Sequence, residues 1–249
     1  MKYSKLGEEF YRIGQVKPEP ELQGAEQPAG KSRRCRLWLL DTTQQTHIPT
    51  MVIFHTMIMK ISDRLLHAPM GYHYLVLYPN IETMRKIYAN YLKRQIEEEP
   101  NSVVLFLSYY DTTDNVRSIL NLKSIQVNEL EKKGSIIILD IIKVINDPIS
   151  KVQGIQKLRE LAKKITAQFK DKTIFIIADM SAFHHIKKAA ELLEYEKTLH
   201  KDLNVERWKG LCLYHKRDFE TMFNHVESDT LMSYHNDKVI LVNWRSFIH

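Results

Sequence analysis

Six short runs of this chain are almost wholly apolar: Tyr74–Tyr78, Val103–Ser108, Ile136–Leu139, Thr173–Ala178, Gly210–Tyr214 and Val239–Val242. A strand with one face in water alternates apolar and polar residues. A strand without alternation is covered on both faces. Between the runs lie helical patterns. Ile81, Met84, Ile87, Tyr88, Tyr91, Leu92 and Ile96 recur at three- and four-residue spacing and stop near Glu97–Pro100. Ile149, Val152, Ile155, Leu158, Leu161, Ile165 and Phe169 repeat the pattern as one long helix. Ser181 is expected to cap a further helix through Ala189, Leu192 and Leu199. Doubly covered strands alternating with amphipathic helices predict an α/β fold: a three-layer, mostly parallel sheet with helices on both faces. Right-handed crossovers then bring the strand C-terminal ends to one edge, where such sheets bind ligands.

The loop after the first strand limits the chemistry. A nucleotide-binding sheet places a glycine-rich phosphate loop there. This chain places Pro79-Asn80-Ile81-Glu82, and no glycine occurs between Gly71 and Gly134. The segment Gly24 to Ser32 imitates a phosphate loop but is one residue too long. It has no preceding strand, and Arg33-Arg34-Cys35-Arg36 follows it in place of an apolar helix. Its backbone N–H groups would not be aimed at a phosphate.

Residues 1–47, with Pro18, Pro20 and Pro28, read as a flexible N-terminal arm. Residues 48–249 read as a single α/β domain. The apolar, Met-rich stretch 48–68 is too short and too interrupted to span a membrane. It reads as a helix that docks on the core or on a partner. Several internal Met residues allow a start downstream of Met1.

The net charge of +6 is spread along the chain, with nine basic and six acidic residues in 1–60 and 27 and 24 in 61–249. The Lys pairs at 132–133, 163–164 and 187–188 fall on different elements, so direct nucleic-acid binding is not expected. The basic cluster Lys31–Arg36 reads as part of a solvated tail. Cys35 and Cys212 are the only cysteines. No disulfide is expected, and the location reads as cytoplasmic.

The strand C-terminal edge is expected to gather Tyr78, Tyr109, Tyr110, Asp111, Asp140, Asp179 and Tyr214-His215. Carboxylates that follow strands hold Mg²⁺ or act as general bases, and they also cap helices. Capping is the plainer reading without a phosphate loop, and Asp179 is the best functional candidate. The tyrosines form either a pocket with polar tips for a small organic ligand or ordinary packing. The histidines at 184, 185, 200, 215, 225 and 235 show no metal-ligand spacing, and Cys212 reads as a small core residue. No metal, no cofactor and no catalytic residue are expected.

Gly71-x-His73-x-x-x-x-Tyr78, then a helix and Val103–Ser108, resembles the opening of the MEDS domain, the methanogen/methylotroph sensory domain. Lys209-Gly210-Leu211-Cys212-Leu213-Tyr214-His215-Lys216-Arg217-Asp218-Phe219 is similar to that family's late strand, and Asn236-Asp237-Lys238-Val239-Ile240 to its ending. The resemblance covers about residues 62–243. It implies a RecA/KaiC-like domain without the phosphate loop, and a sensory role proposed to involve small hydrocarbon derivatives. His73, Tyr78, Asp179 and Tyr214 carry over as framework or pocket positions. With Tyr109 and Asp111 they make the candidate ligand-binding set. Family members often carry a DNA-binding or kinase module, and residues 1–60 show neither pattern.

The expected function is a non-catalytic sensory or signal-transduction module with a small organic ligand at the strand edge. It would act on a signalling or regulatory partner, with homo-oligomerisation open. The alternatives are a divergent ATPase-like enzyme using Asp140 or Asp179 with Mg²⁺, and an oligomeric scaffold or transcription-regulation partner.

Overall fold

The computed structural model describes residues 50–146, 154–203 and 208–241. The proposed arm 1–47, the basic cluster Lys31–Arg36 and Cys35 lie outside them, as do Ile149, Val152 and Val242.

The six apolar runs become six strands: β1 (His73–Tyr78), β2 (Ser102–Ser108), β3 (Ile136–Asp140), β4 (Thr173–Asp179), β5 (Trp208–His215) and β6 (Asp237–Ile240). They form one sheet in the order β3-β2-β4-β5-β1-β6. Every pairing is parallel. The central strands explain their own composition. Every residue of β1 and of β2 is buried, so neither has a water face that would need a polar alternation.

Helices cover both faces. On one face lie α1 (Thr50–Leu66), α2 (Ile81–Glu98), α3 (Thr113–Leu122) and α4 (Val127–Lys133). Ile58, Ile61 and Leu65 of α1 share a core there with Met84, Tyr88 and Leu92 of α2, and with Val104 and Phe106 of the sheet. The Met-rich helix is thus docked on its own chain. Arg94 of α2 pairs with Asp63, and Arg64 reaches Asp237 of β6 at 3.3 Å.

On the other face lie α5 (Ile141–Ile145), α6 (Gln156–Gln168), α7 (Ala182–His185), α8 (Ala189–Leu203), α9 (Lys216–Met222) and α10 (His225–Ser233). Leu158, Ile165, Leu192 and Phe219 pack there against Leu75, Leu105 and Trp208. Burying a side chain of this size contributes about 1.5–3 kcal/mol, so two such layers hold the sheet without covalent staples.

The caps follow the sequence in several places. Asn80 accepts the Thr83 N–H at 2.9 Å, and Thr112 accepts the Asn115 N–H at 3.2 Å. Asp140 takes the Ile142 and Lys143 N–H groups at 2.9 and 3.2 Å, so this carboxylate caps α5.

Two elements depart from expectation. The long helix from Ile149 begins, among the described residues, only at Gln156. The helix expected after Ser181 is two helices, α7 and α8, with a break at Ile186–Lys188. Lys187 has φ +55°, a left-handed backbone that an α-helix cannot continue through. Ser181 makes no cap. Its hydroxyl accepts the His215 N–H at 2.7 Å and ties β5 to the end of β4.

Candidate functional site

Polar side chains gather in two places, one at the C-terminal edge of the sheet and one inside the α8–α10 layer.

The first lies where β2 and β4 run side by side. From β2 the chain crosses to β3 over the α3–α4 face; from β4 it crosses to β5 over the α7–α8 face. Neighbouring strands whose exits diverge to opposite sides leave a crevice beyond their C-terminal ends, the usual ligand position in an open parallel sheet. A cleft of about 620 Å³ lies there, within the range of small-molecule sites. Tyr109 and Tyr110 supply one wall. His184, His185 and Lys187 supply another, and Asp218, Thr221 and Met222 of α9 a third. The Tyr109 and Tyr110 rings are tilted with centroids 4.8 Å apart. The Tyr110 hydroxyl donates to Asp218, and the Nδ1 atoms of His184 and His215 lie 3.7 and 3.6 Å from the same carboxylate.

Asp179 sits beneath this wall, 2% exposed. It accepts the Tyr110 N–H at 3.1 Å, the Ser181 N–H at 3.3 Å and the Tyr78 hydroxyl at 3.2 Å. Burial pushes its carboxyl up to about 6, against the opposing pull of those hydrogen bonds. Burial, followed by the nearby Asp179 charge, pushes the Tyr78 phenol far up as well.

The second place is fully enclosed. His73 opens β1. Cys212 lies on β5, two residues past Gly210, which is His73's partner in the register. That offset puts both side chains on one face of the sheet. Glu196 descends from α8, and His235 follows α10. One ligand atom from each of the four lies within 4.8 Å of all the others, and all four residues are buried. His73 Nε2 is 2.9 Å from Cys212 Sγ and 3.3 Å from Glu196 Oε2. His235 Nε2 is 3.7 Å from the same oxygen, and the two imidazoles stack at 4.0 Å.

The surroundings orient these groups. His235 Nδ1 lies 3.0 Å from the Leu231 carbonyl. A carbonyl only accepts, so Nδ1 carries the proton and Nε2 of the neutral ring presents a lone pair inward. Tyr214 donates to Glu196 Oε1 at 2.6 Å and leaves Oε2 for the histidines. The His73 N–H donates to Asn236 Oδ1 at 2.8 Å, which anchors the β6 entry beside it. Burial pushes Glu196 up to about 7. Burial, then the neighbouring Glu196 charge, pushes the Cys212 thiol up. Burial therefore favours the protonated forms of Glu196 and Cys212, and a cation would reverse that preference.

Tetrahedral zinc with nitrogen, oxygen and sulfur ligands needs ligand atoms about 3.3–3.8 Å apart. Distances of 2.9, 3.3 and 3.7 Å within the cluster straddle that spacing, the other pairs lie within 4.8 Å, and the donors are ones zinc accepts. An adjoining cavity of about 20 Å³ touches His73 and Cys212. That is room for one water, and too little for an organic molecule.

The expected edge set thus divides. Tyr109 lines the cleft with Tyr110, and Tyr78 and Asp179 meet beneath that wall without lining it. Tyr214 lies one residue before the end of β5, but its hydroxyl points into the enclosed cluster. His73 is at the opposite end of β1 from the edge. Asp111 is a structural clamp: Arg85 donates to it from Nη2 at 2.6 Å and Nε at 3.1 Å, Tyr88 at 3.0 Å and Asn115 at 2.5 Å. Glu196, Cys212 and His235 were not singled out as ligands by spacing, because each comes from a different element. One signal was present: Glu196 occupies the apolar stripe of α8 with Leu192, Tyr195 and Leu199.

The chain is an all-parallel α/β domain with a glycine-free first loop, a crevice at its strand exits and an enclosed polar cluster. One protein family matches residues 72–229: MEDS, the MEthanogen/methylotroph, DcmR Sensory domain. The match spans more than half of the chain, and the chain belongs to this family, which makes it a sensory domain. A comparison with curated proteins finds no match. No helix among the described residues is long and apolar enough to cross a membrane.

Proposed function

We propose that the protein is a non-catalytic sensory module that receives a small organic ligand in the cleft between the exits of β2 and β4. The observation that carries this reading is the position of the 620 Å³ cleft at the point where the strand connections diverge. The loop chemistry supports a non-catalytic role. Asp179 is committed to two backbone N–H groups and a phenol, and Asp218 to Tyr110. A ligand touching Tyr109, α7 and α9 together would favour one arrangement of those helices and so change the surface offered to a signalling partner.

The test is a thermal-shift titration with small organic compounds beside ATP–Mg²⁺. Ligand at 100 times its dissociation constant adds about 2.7 kcal/mol, or roughly 5–10 °C for a domain of this size. Tyr109→Ala should remove the shift. A shift that survives Tyr109→Ala, or ATP–Mg²⁺ turnover abolished by Asp179→Asn, would reject the proposal.

A second reading concerns the enclosed cluster. His73, Glu196, Cys212 and His235 have the donors and spacing to hold a zinc-type ion, joining α8 and the β6 entry to the sheet. Four protein ligands would fill its shell and leave no open position for reaction, which agrees with a sensory rather than catalytic role. Stoichiometric zinc in purified wild type, lost in Cys212→Ala, is expected. Metal-free wild type that does not respond to added zinc would end this reading.

A further inference from the structure

The accessible charge of the strand-exit cleft is positive: Lys187 is exposed, and Asp218 is buried. Its carboxylate, Asp218, already accepts the Tyr110 hydroxyl and has two imidazoles within 3.7 Å. Asp179 is buried beneath the wall and spent on its own donors. The groups left without a hydrogen bond or ion pair among the described residues are the Lys187 ammonium, the His185 imidazole and the Tyr109 hydroxyl. Lysine only donates, and a phenol and a neutral imidazole each bring a donor. The neighbouring cation, Lys188, is held by Glu191 at 2.7 Å, so Lys187 is the charge the cleft has to offer.

Lys187 is also placed unusually. Its backbone has φ +55°, one of two non-glycine residues with positive φ among those described. A left-handed lysine costs more than glycine would at the same turn, and such outliers concentrate at ligand sites. Here the outlier ends α7 and sets Lys187 on the cleft wall. Around these donors the wall is apolar: Met222, Ala189 and the Tyr109 ring.

We infer that the cleft takes a small organic anion, a carboxylate carried on an apolar body. Its charge lies toward Lys187 and His185, and its body lies along Tyr109 and Met222. This rests on the cleft reading of the preceding section and names the charge class of its ligand. An organic cation would meet the exposed Lys187 ammonium, while the one carboxylate of the wall, Asp218, is buried and already accepts the Tyr110 hydroxyl. A neutral alcohol would leave the ammonium without a counter-charge.

The experiment uses the full chain and three compounds of one shape: benzoate, benzylamine and benzyl alcohol, measured by isothermal titration at low salt. Benzoate is expected to bind at least about tenfold more tightly than the other two, the worth of one charge-assisted hydrogen bond. Lys187→Gly suits the left-handed turn and removes the side chain with its ammonium. It should leave the melting temperature at or above that of wild type and weaken benzoate by about tenfold or more. Lys187→Arg should retain binding. Benzylamine binding as tightly as benzoate, or benzoate indifferent to Lys187→Gly, overturns the anion assignment. If the amine binds and Tyr109→Ala removes it, the anion class falls while the cleft stands. If none of the three binds at millimolar concentration, the anion class falls, and the wider panel judges the cleft separately.

Discussion

Gly210 offers the sharpest single perturbation of the enclosed cluster. It stands opposite His73 in the β1–β5 register. A Cβ at position 210 would lie 3.0 Å from His73 Cδ2. The ring is not free to yield. Cys212 Sγ is 2.9 Å from its Nε2, the His235 ring stacks on it at 4.0 Å, and Glu196 lies at 3.3 Å. Gly210→Ala therefore drives the imidazole a few tenths of an ångström into its neighbours. Overpacking of this kind costs about 1–3 kcal/mol. The loss of glycine's unfolded-state freedom returns about 0.4–1 kcal/mol. The net destabilisation is about 1–2 kcal/mol, a fall of roughly 2–8 °C in melting temperature. Metal ligands must be placed within about 0.2 Å, so the zinc-induced stabilisation should shrink too. The assay is thermal melting with and without zinc, in wild type, Gly210→Ala, His73→Ala and the double variant. In the His73→Ala background the clash has no partner, and the added alanine should cost about 1–3 kcal/mol less than in wild type. Gly210→Ala melting as wild type does, with an equal zinc response, would refute the reasoning.

Two further outcomes follow from the carboxylates. Asp179 rises from 3.8 to about 6 on burial, so the folded state holds its proton more tightly than the unfolded chain does. The cost of its charge is absent below pH 3.8, grows as pH rises and is complete above pH 6. Asparagine escapes this cost but presents an NH₂ to one of the N–H donors. The stability difference between Asp179→Asn and wild type should therefore move in favour of asparagine by up to about 3 kcal/mol between pH 4 and pH 7, measured by urea unfolding; a pH-independent difference would contradict it. Asp111→Ala strips Arg85, Tyr88 and Asn115 of their common acceptor and should cost about 3 kcal/mol, read by the same unfolding. Ligand affinity in the cleft should not change, and a selective loss of binding would return Asp111 to the site.

The sheet was legible because its strands are buried on both faces. β1 and β2 have no exposed residue, so their sequences could only be apolar runs. The diverging helices α7 and α8 were not legible. Lys187 adopts a left-handed φ without the glycine or asparagine that announces such a turn, and Ser181, a good cap by residue type, is drawn off to the His215 N–H. A tertiary hydrogen bond decided the Ser181 case, to which local propensity has no access; at Lys187 the Lys188 N–H closes on the Phe183 carbonyl at 3.0 Å, a helix C-terminus turned through lysine where glycine is usual.

The same limit separates the two sites. Tyr78, Tyr109 and Asp179 end or follow strands, so topology alone brought them to the C-terminal edge of the sheet. The enclosed cluster joins His73 to Cys212 across 139 positions and adds one residue from each of two further elements. No spacing rule can register ligands drawn singly from β1, α8, β5 and the α10–β6 turn. What the sequence does expose is the energetic anomaly of each member. Glu196 is a carboxylate on the apolar stripe of α8, with no exposed surface. His73 begins a strand whose other five residues are apolar. Gly210 interrupts β5 where any side chain would strike that histidine. Each departs from an ordinary core, and Glu196 costs the fold stability if nothing is bound, since burial lifts its carboxyl to about 7. Separate departures that converge on one volume are what a cation site requires before the cation arrives, because the charge that offsets the buried carboxylate comes with the ligand.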